Sequence, residues 1–132
     1  MDAIRGLIVL AVALVACEAT PVAVDPVGSW GGEGIALVVT PDGGSLDFDC
    51  AAGTFDDPLP DPLRSFTVGG TFTLGFGGPD IEGREPDVQP ATWTGAVRGG
   101  ELTLTGVFGQ ENTPLGPYRL RKGEDPLLRR CQ

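Results

Sequence analysis

Ala91-Thr92-Trp93-Thr94-Gly95-Ala96-Val97-Arg98-Gly99-Gly100-Glu101-Leu102-Thr103-Leu104-Thr105-Gly106-Val107-Phe108 alternates apolar or small residues with threonine and charge on both sides of a two-glycine break. Period two marks a strand with one buried and one wet face, and two glycines between such runs favour a two-residue hairpin turn. With Gly99-Gly100 as the turn, Val97 falls opposite Leu102, Gly95 opposite Leu104, Trp93 opposite Gly106 and Ala91 opposite Phe108. The apolar partners share one face, and Arg98 meets Glu101 on the solvent side. A one-residue slip would turn the whole set inside out, so the pattern predicts the register as well as the strands.

The same parity runs outward from this hairpin. Ile35, Leu37 and Val39 share one face, as do Leu46, Phe48 and Cys50. If Pro41-Asp42-Gly43-Gly44 is the turn between them, Val39 pairs with Leu46, Leu37 with Phe48, and Ile35 with Cys50, which puts Cys50 on the core side. Phe66, Val68, Phe72, Leu74 and Phe76 have even parity, with Thr67, Thr71 and Thr73 opposite them. A hairpin at Gly69-Gly70 would set Phe66 against Thr73 and mix the faces, so one continuous strand bent at the glycines is expected. Tyr118 and Leu120, flanked by Arg119 and Arg121, give a last strand, and no segment after the leader has a helical period of useful length. The expected fold is all-β: a small antiparallel meander forming a barrel or open half-barrel, with one disulfide.

About a hundred residues follow Trp30, enough for one domain with a single modest core. Ahead of them the chain starts Met1 to Arg5 and runs apolar from Gly6 to Ala16, which as a helix would span about 16 Å, short of the roughly 30 Å of a hydrocarbon core. The layout is that of an export signal. Leu14-Val15-Ala16-Cys17 resembles the lipobox that closes a bacterial lipoprotein signal. That resemblance implies cleavage before Cys17, lipidation of Cys17, and a place in the bacterial cell envelope, anchored to a membrane and facing the periplasm or the exterior. The expected organisation is a signal peptide over 1–16, a lipidated cysteine with a flexible tether over 17–28, and a single β domain over 29–132. Two prolines and no hydrophobic period in Glu18 to Pro26 fit an extended tether reaching up to about 30 Å.

Three cysteines are an odd number for an exported chain. Lipidation of Cys17 leaves Cys50 and Cys131 as one pair, and a bridge closing so long a loop would stabilise the fold by roughly 4 to 5 kcal/mol if unstrained.

The runs Trp30-Gly31-Gly32-Glu33, Phe48-Asp49-Cys50-Ala51 with Gly53-Thr54, Gly77-Gly78-Pro79, Pro90-Ala91 with Gly95, and Arg130-Cys131 resemble a group of small all-β bacterial proteins. The resemblance implies the fold and the Cys50 to Cys131 pairing. It carries no activity, and where that group often has histidine this chain has Gly34 and Ala52. Gly28-Ser29-Trp30 is similar to the opening of lipocalins, in which the tryptophan plugs one end of the barrel.

Chemistry is narrowed mainly by exclusion. The chain has no histidine, which removes the serine and cysteine triads and the histidine zinc sites. Its three serines stand in no nucleophile-elbow setting. Asp47 and Asp49 would lie about 7 Å apart on one strand face, a spacing glycoside hydrolysis can use, but that face alternates with the core residues and reads as solvated. Asp42, Asp47, Asp49, Asp56, Asp57 and Asp61 offer oxygens for calcium in no recognised spacing, so a solvated acidic edge is expected instead. A net charge of −9 argues against nucleic acid. Arg119, Arg121, Lys122, Arg129 and Arg130 form a basic strip that would either touch lipid headgroups or, as is expected here, pair with the chain's own acidic edge. The long segment Gly77 to Pro90 reads as either a binding loop or a disordered stretch; its acids around a lone Arg84 make disorder the expectation, and Ile81 and Val88 are too few for a hydrophobic interface.

The expectation is therefore a monomeric, non-catalytic binding or structural module without cofactor or metal. Its partners would be the membrane, through the N-terminal lipid, and an envelope protein, polysaccharide or small ligand. The alternative is an inhibitor of a hydrolase of the lysozyme or protease type.

Overall fold

A computed structural model describes residues 23–75 and 87–129. The leader, Cys17, Phe76, Cys131 and most of the 77–90 segment lie outside the described residues. Eight strands follow one another: β1 (Gly28–Gly32), β2 (Ile35–Val39), β3 (Gly44–Phe48), β4 (Ala51–Phe55), β5 (Phe66–Leu74), β6 (Val88–Arg98), β7 (Glu101–Phe108) and β8 (Thr113–Lys122). Each pairs antiparallel with the next, and β1 pairs with β8 through Trp30↔Lys122, Gly31↔Arg121 and Gly32↔Leu120. The meander is a closed barrel, and closure removes the free edges that an open sheet would present.

The β6–β7 hairpin has the register its sequence dictates, from Arg98↔Glu101 to Ala91↔Phe108. β5 runs unbroken through Gly69 and Gly70. A Cβ at Gly70 would run into the Thr54 carbonyl, so glycine here lets β4 approach closely.

Three details depart from the expectations. The β2–β3 register is two residues tighter: Val39 faces Gly44, Leu37 faces Leu46, and Ile35 faces Phe48. Thr40 holds the turn, its amide donating to the Gly43 carbonyl at 2.8 Å and its hydroxyl accepting from the Gly43 amide at 3.2 Å. Gly44 is thereby a strand residue, and the space its missing side chain leaves is taken by the Phe55 ring. Both registers keep the apolar residues inside, which is why alternation could not separate them.

As a result Cys50 is not opposite Ile35. It is exposed, in the two-residue turn between β3 and β4, and Asp49 leaves the strand with it instead of sharing a strand face with Asp47.

The third difference is two additional strands, β1 and β4, the second with Ala51, Gly53 and Phe55 facing inward.

The core holds Trp30, Ile35, Leu37, Val39, Leu46, Phe55, Phe66, Val68, Phe72, Trp93, Leu102, Leu104 and Leu120. Trp93 is fully buried at its centre. Its indole N–H donates to the Thr54 carbonyl at 3.1 Å, and side chains at Gly53 or Gly106 would collide with its ring. Those glycines face inward so that one large ring can cross a narrow barrel. Trp30, 1 % exposed, donates its indole N–H to the Pro26 carbonyl at 3.0 Å.

The chain enters β1 beside the β2–β3 turn, since Gly28 pairs with Val39. The residues just before β1 are docked on the domain: Val24 packs on the core and accepts from the Leu63 amide at 2.7 Å, and Asp25 accepts from Lys122 Nζ at 2.9 Å. Leu59 and Leu63 of the β4–β5 loop are buried at the same end and cover it. After β8 the chain turns at Gly123 and runs back outside β1. Leu127 exchanges backbone hydrogen bonds with Gly32 and Gly34, at 3.0 and 2.9 Å. This tail lies so close over Gly31 that any side chain there would meet Glu124 and Pro126.

Candidate functional site

At the end away from the chain's entry, the barrel opens into a cavity of about 700 Å³. The turns that rim it are Glu33-Gly34 between β1 and β2, and Asp49-Cys50 between β3 and β4. Its inner wall is aromatic. The Phe48 ring lies 5.1 Å from Tyr118 with a 47° tilt, 5.8 Å from Phe72 edge-on, and 5.8 Å from Trp93 in a stacked arrangement. Phe72 and Phe108 extend the cluster at 4.4 Å.

Tyr118 owes its place to an irregularity. From Glu101↔Arg121 to Leu104↔Tyr118 the β7–β8 register is regular, and it then shifts so that Gly106 faces Leu115. Gly116, with φ of 86°, takes up the extra residue, a left-handed conformation that glycine adopts without strain. The bulge lets Tyr118 and Leu115 both point inward despite their odd spacing. Leu120 continues the core below, and Tyr118 stands half-buried at the mouth.

Asp49 joins the rim to the tail. Its Oδ1 accepts from the Arg129 amide at 2.8 Å, and its Oδ2 lies 3.6 Å from where a Cβ at Gly34 would be. The Tyr118 phenol is pushed above its ordinary value near 10, first by burial and second by the Asp49 carboxylate. It therefore stays protonated and neutral well into the alkaline range.

The other residues singled out from the sequence are scattered. Asp47 faces outward on β3. Asp42 lies in the β2–β3 turn and Asp56, Asp57 and Asp61 in the β4–β5 loop, at the opposite end from Asp49. Among the described residues no group of three or more acids or cysteines is placed to hold a metal ion. The basic strip is partly engaged: Arg121 Nη2 is 3.6 Å from Glu101 Oε2, and Lys122 binds the Asp25 carbonyl. Arg98 faces Glu101 in the register, and Arg121, from the neighbouring strand, is the cation that pairs with it.

A second cavity, of about 970 Å³, lies by the covered end between Val24, Pro62, Leu63 and the β6–β7 turn. It is the larger of the two, but it has no aromatic ring in its walls. The aromatic mouth is the better candidate, because it combines core rings with convergent polar groups.

Sequence reasoning placed Phe48 and Tyr118 in the core and Asp49 on a solvated face, and so missed that the three converge. The Gly116-Pro117 pair inside a strand was the available signal, since such residues mark bulges. No family model, curated protein or solved structure matches the chain.

Proposed function

We propose that this chain is a lipid-anchored module of the bacterial envelope that captures a small ligand in its barrel mouth and performs no chemistry of its own. The observation that carries the reading is the placement of the aromatic mouth at the end opposite the chain's entry. A tether leading from Cys17 to Val24 would join the domain at its covered end, leaving the mouth directed away from the membrane. The lipobox resemblance of Leu14 to Cys17 supports the anchor. Cys17→Ser should abolish metabolic labelling with a fatty acid, and unchanged labelling would refute lipidation at that residue.

Cys50 and Cys131 form the accompanying disulfide in this reading. Supporting it, the Arg129 amide is bound to Asp49, which brings the chain two residues before Cys131 to the neighbour of Cys50. Non-reducing peptide mapping should recover the two cysteines in one linked fragment. Two separately alkylated peptides would overturn the pairing.

Ligand capture itself is read from amide resonances of Phe48, Ala51, Phe72 and Tyr118. Titration with a panel of small envelope metabolites should move these together, and a panel that leaves all four still would remove the mouth from consideration.

A further inference from the structure

The geometry points to a small organic cation of the quaternary-ammonium type as the mouth's ligand, held between the Phe48 and Tyr118 rings and the Asp49 carboxylate. This rests on the mouth being a ligand site and goes further by naming the ligand's charge. Phe48 and Tyr118 pack on each other at 5.1 Å and 47° and both line the cavity together with Phe72, which lies edge-on to Phe48, so a ligand entering it meets a continuous aromatic wall. Ring faces carry negative electrostatic potential and attract a weakly hydrated cation placed over them.

A carboxylate adds to that attraction. Asp49 uses Oδ1 to hold the tail, while Oδ2 accepts no hydrogen bond among the described residues and borders the open space above Gly34. Glu33 stands next along the same rim. Two cations also reach the mouth. Arg119 has the outward parity of β8, between inward Tyr118 and Leu120, and Arg129 is held there by its main chain. The wall where Phe48, Tyr118 and Asp49 meet is therefore the cation-selective part, and the chain's net charge of −9 enriches cations around it. Tyr118 stays neutral through physiological pH, so its ring keeps the same character throughout.

The test is titration of the full-length protein with choline, with its uncharged isostere 3,3-dimethylbutan-1-ol, and with a neutral oligosaccharide, following the Phe48, Asp49 and Tyr118 amides. Choline should shift all three and bind about tenfold more tightly than the isostere. Tyr118→Phe should bind choline like the parent. Tyr118→Leu, which keeps an apolar side chain but loses the ring, and Asp49→Asn, which keeps an acceptor for the tail, should each weaken it several-fold. Equal affinity for choline and its isostere, or no loss in Tyr118→Leu, overturns the cation assignment. If the oligosaccharide binds instead, the mouth stands as a ligand site and the cation assignment falls. If no probe moves these resonances, both fall.

Discussion

The covered and open ends of the barrel differ in what their described connections place over the core. Between β4 and β5 lie ten residues, enough for the chain to turn Leu59 and Leu63 back over the core. At the open end the β1–β2 and β3–β4 turns have two residues each, Glu33-Gly34 and Asp49-Cys50, four residues join β7 to β8, and the thirteen-residue β5–β6 connection lies mostly outside the described residues. Turns so short are consumed in reversing the chain and have no side chain left to cover the interior. The aromatic rings beneath them are consequently half in the core and half in the cavity. What becomes a site here is a set of core rings bordering a cavity, and the polar turn residues give it selectivity.

That contrast can be broken by experiment, beginning where the effect is largest. Trp93→Ala removes the central core ring on which Phe48 stacks and should cost about 3 to 5 kcal/mol, read from the urea midpoint. A loss below about 1 kcal/mol would mean that the interior collapses around the gap. Next comes a pair of leucines, one at each end. Leu63→Ala, in the cover, should cost about 2 kcal/mol or more, whereas Leu74→Ala, 48 % exposed at the rim, should stay within about 0.5 kcal/mol. Equal losses would show that the rim is packed as tightly as the cover.

Gly31→Ala tests the tail. Its new methyl would meet Glu124 and Pro126, so a loss of about 1 to 3 kcal/mol is expected, along with faster amide exchange at Leu127. Unchanged protection at Leu127 would show that the tail shifts without detaching.

The smallest effect is in alkali. Because the folded protein holds the Tyr118 proton more tightly than the unfolded chain, the stabilisation is fully present below pH about 10 and is lost as pH rises from there through the raised folded value. Tyr118→Phe should flatten that decline, and Asp49→Asn should flatten it less, since burial is the larger cause. Superimposable alkaline melts for Tyr118→Phe and the parent would assign the decline to other groups.

Legibility of the fold followed the turns. Gly99-Gly100 admits one register, and β6 and β7 could be paired residue by residue. Between β2 and β3, Thr40 and Gly44 could belong to turn or strand at equal cost to the alternation, and the choice rests on the Phe55 ring, which comes from another strand. β4 was hidden because Ala51, Ala52 and Gly53 carry too little hydrophobicity to show a period. For the site, Phe48 and Tyr118 were correctly read as inward residues. That they border a cavity with Asp49 depends on residues brought together from distant parts of the chain, which no local pattern encodes. Asp49 was misjudged for the same reason: a two-residue register shift moves it from a strand face to a rim.

The returning tail has a practical consequence. Because the chain leaves at Arg129 beside Asp49 while it arrives at Val24 beside Leu63, the two ends of this domain are not equivalent attachment points. A purification tag, fluorescent protein or surface linkage joined beyond Arg129 would sit at the doorway and compete with whatever enters. The same addition ahead of Val24 would leave the doorway clear, so immobilisation and imaging are best done from the N-terminal side.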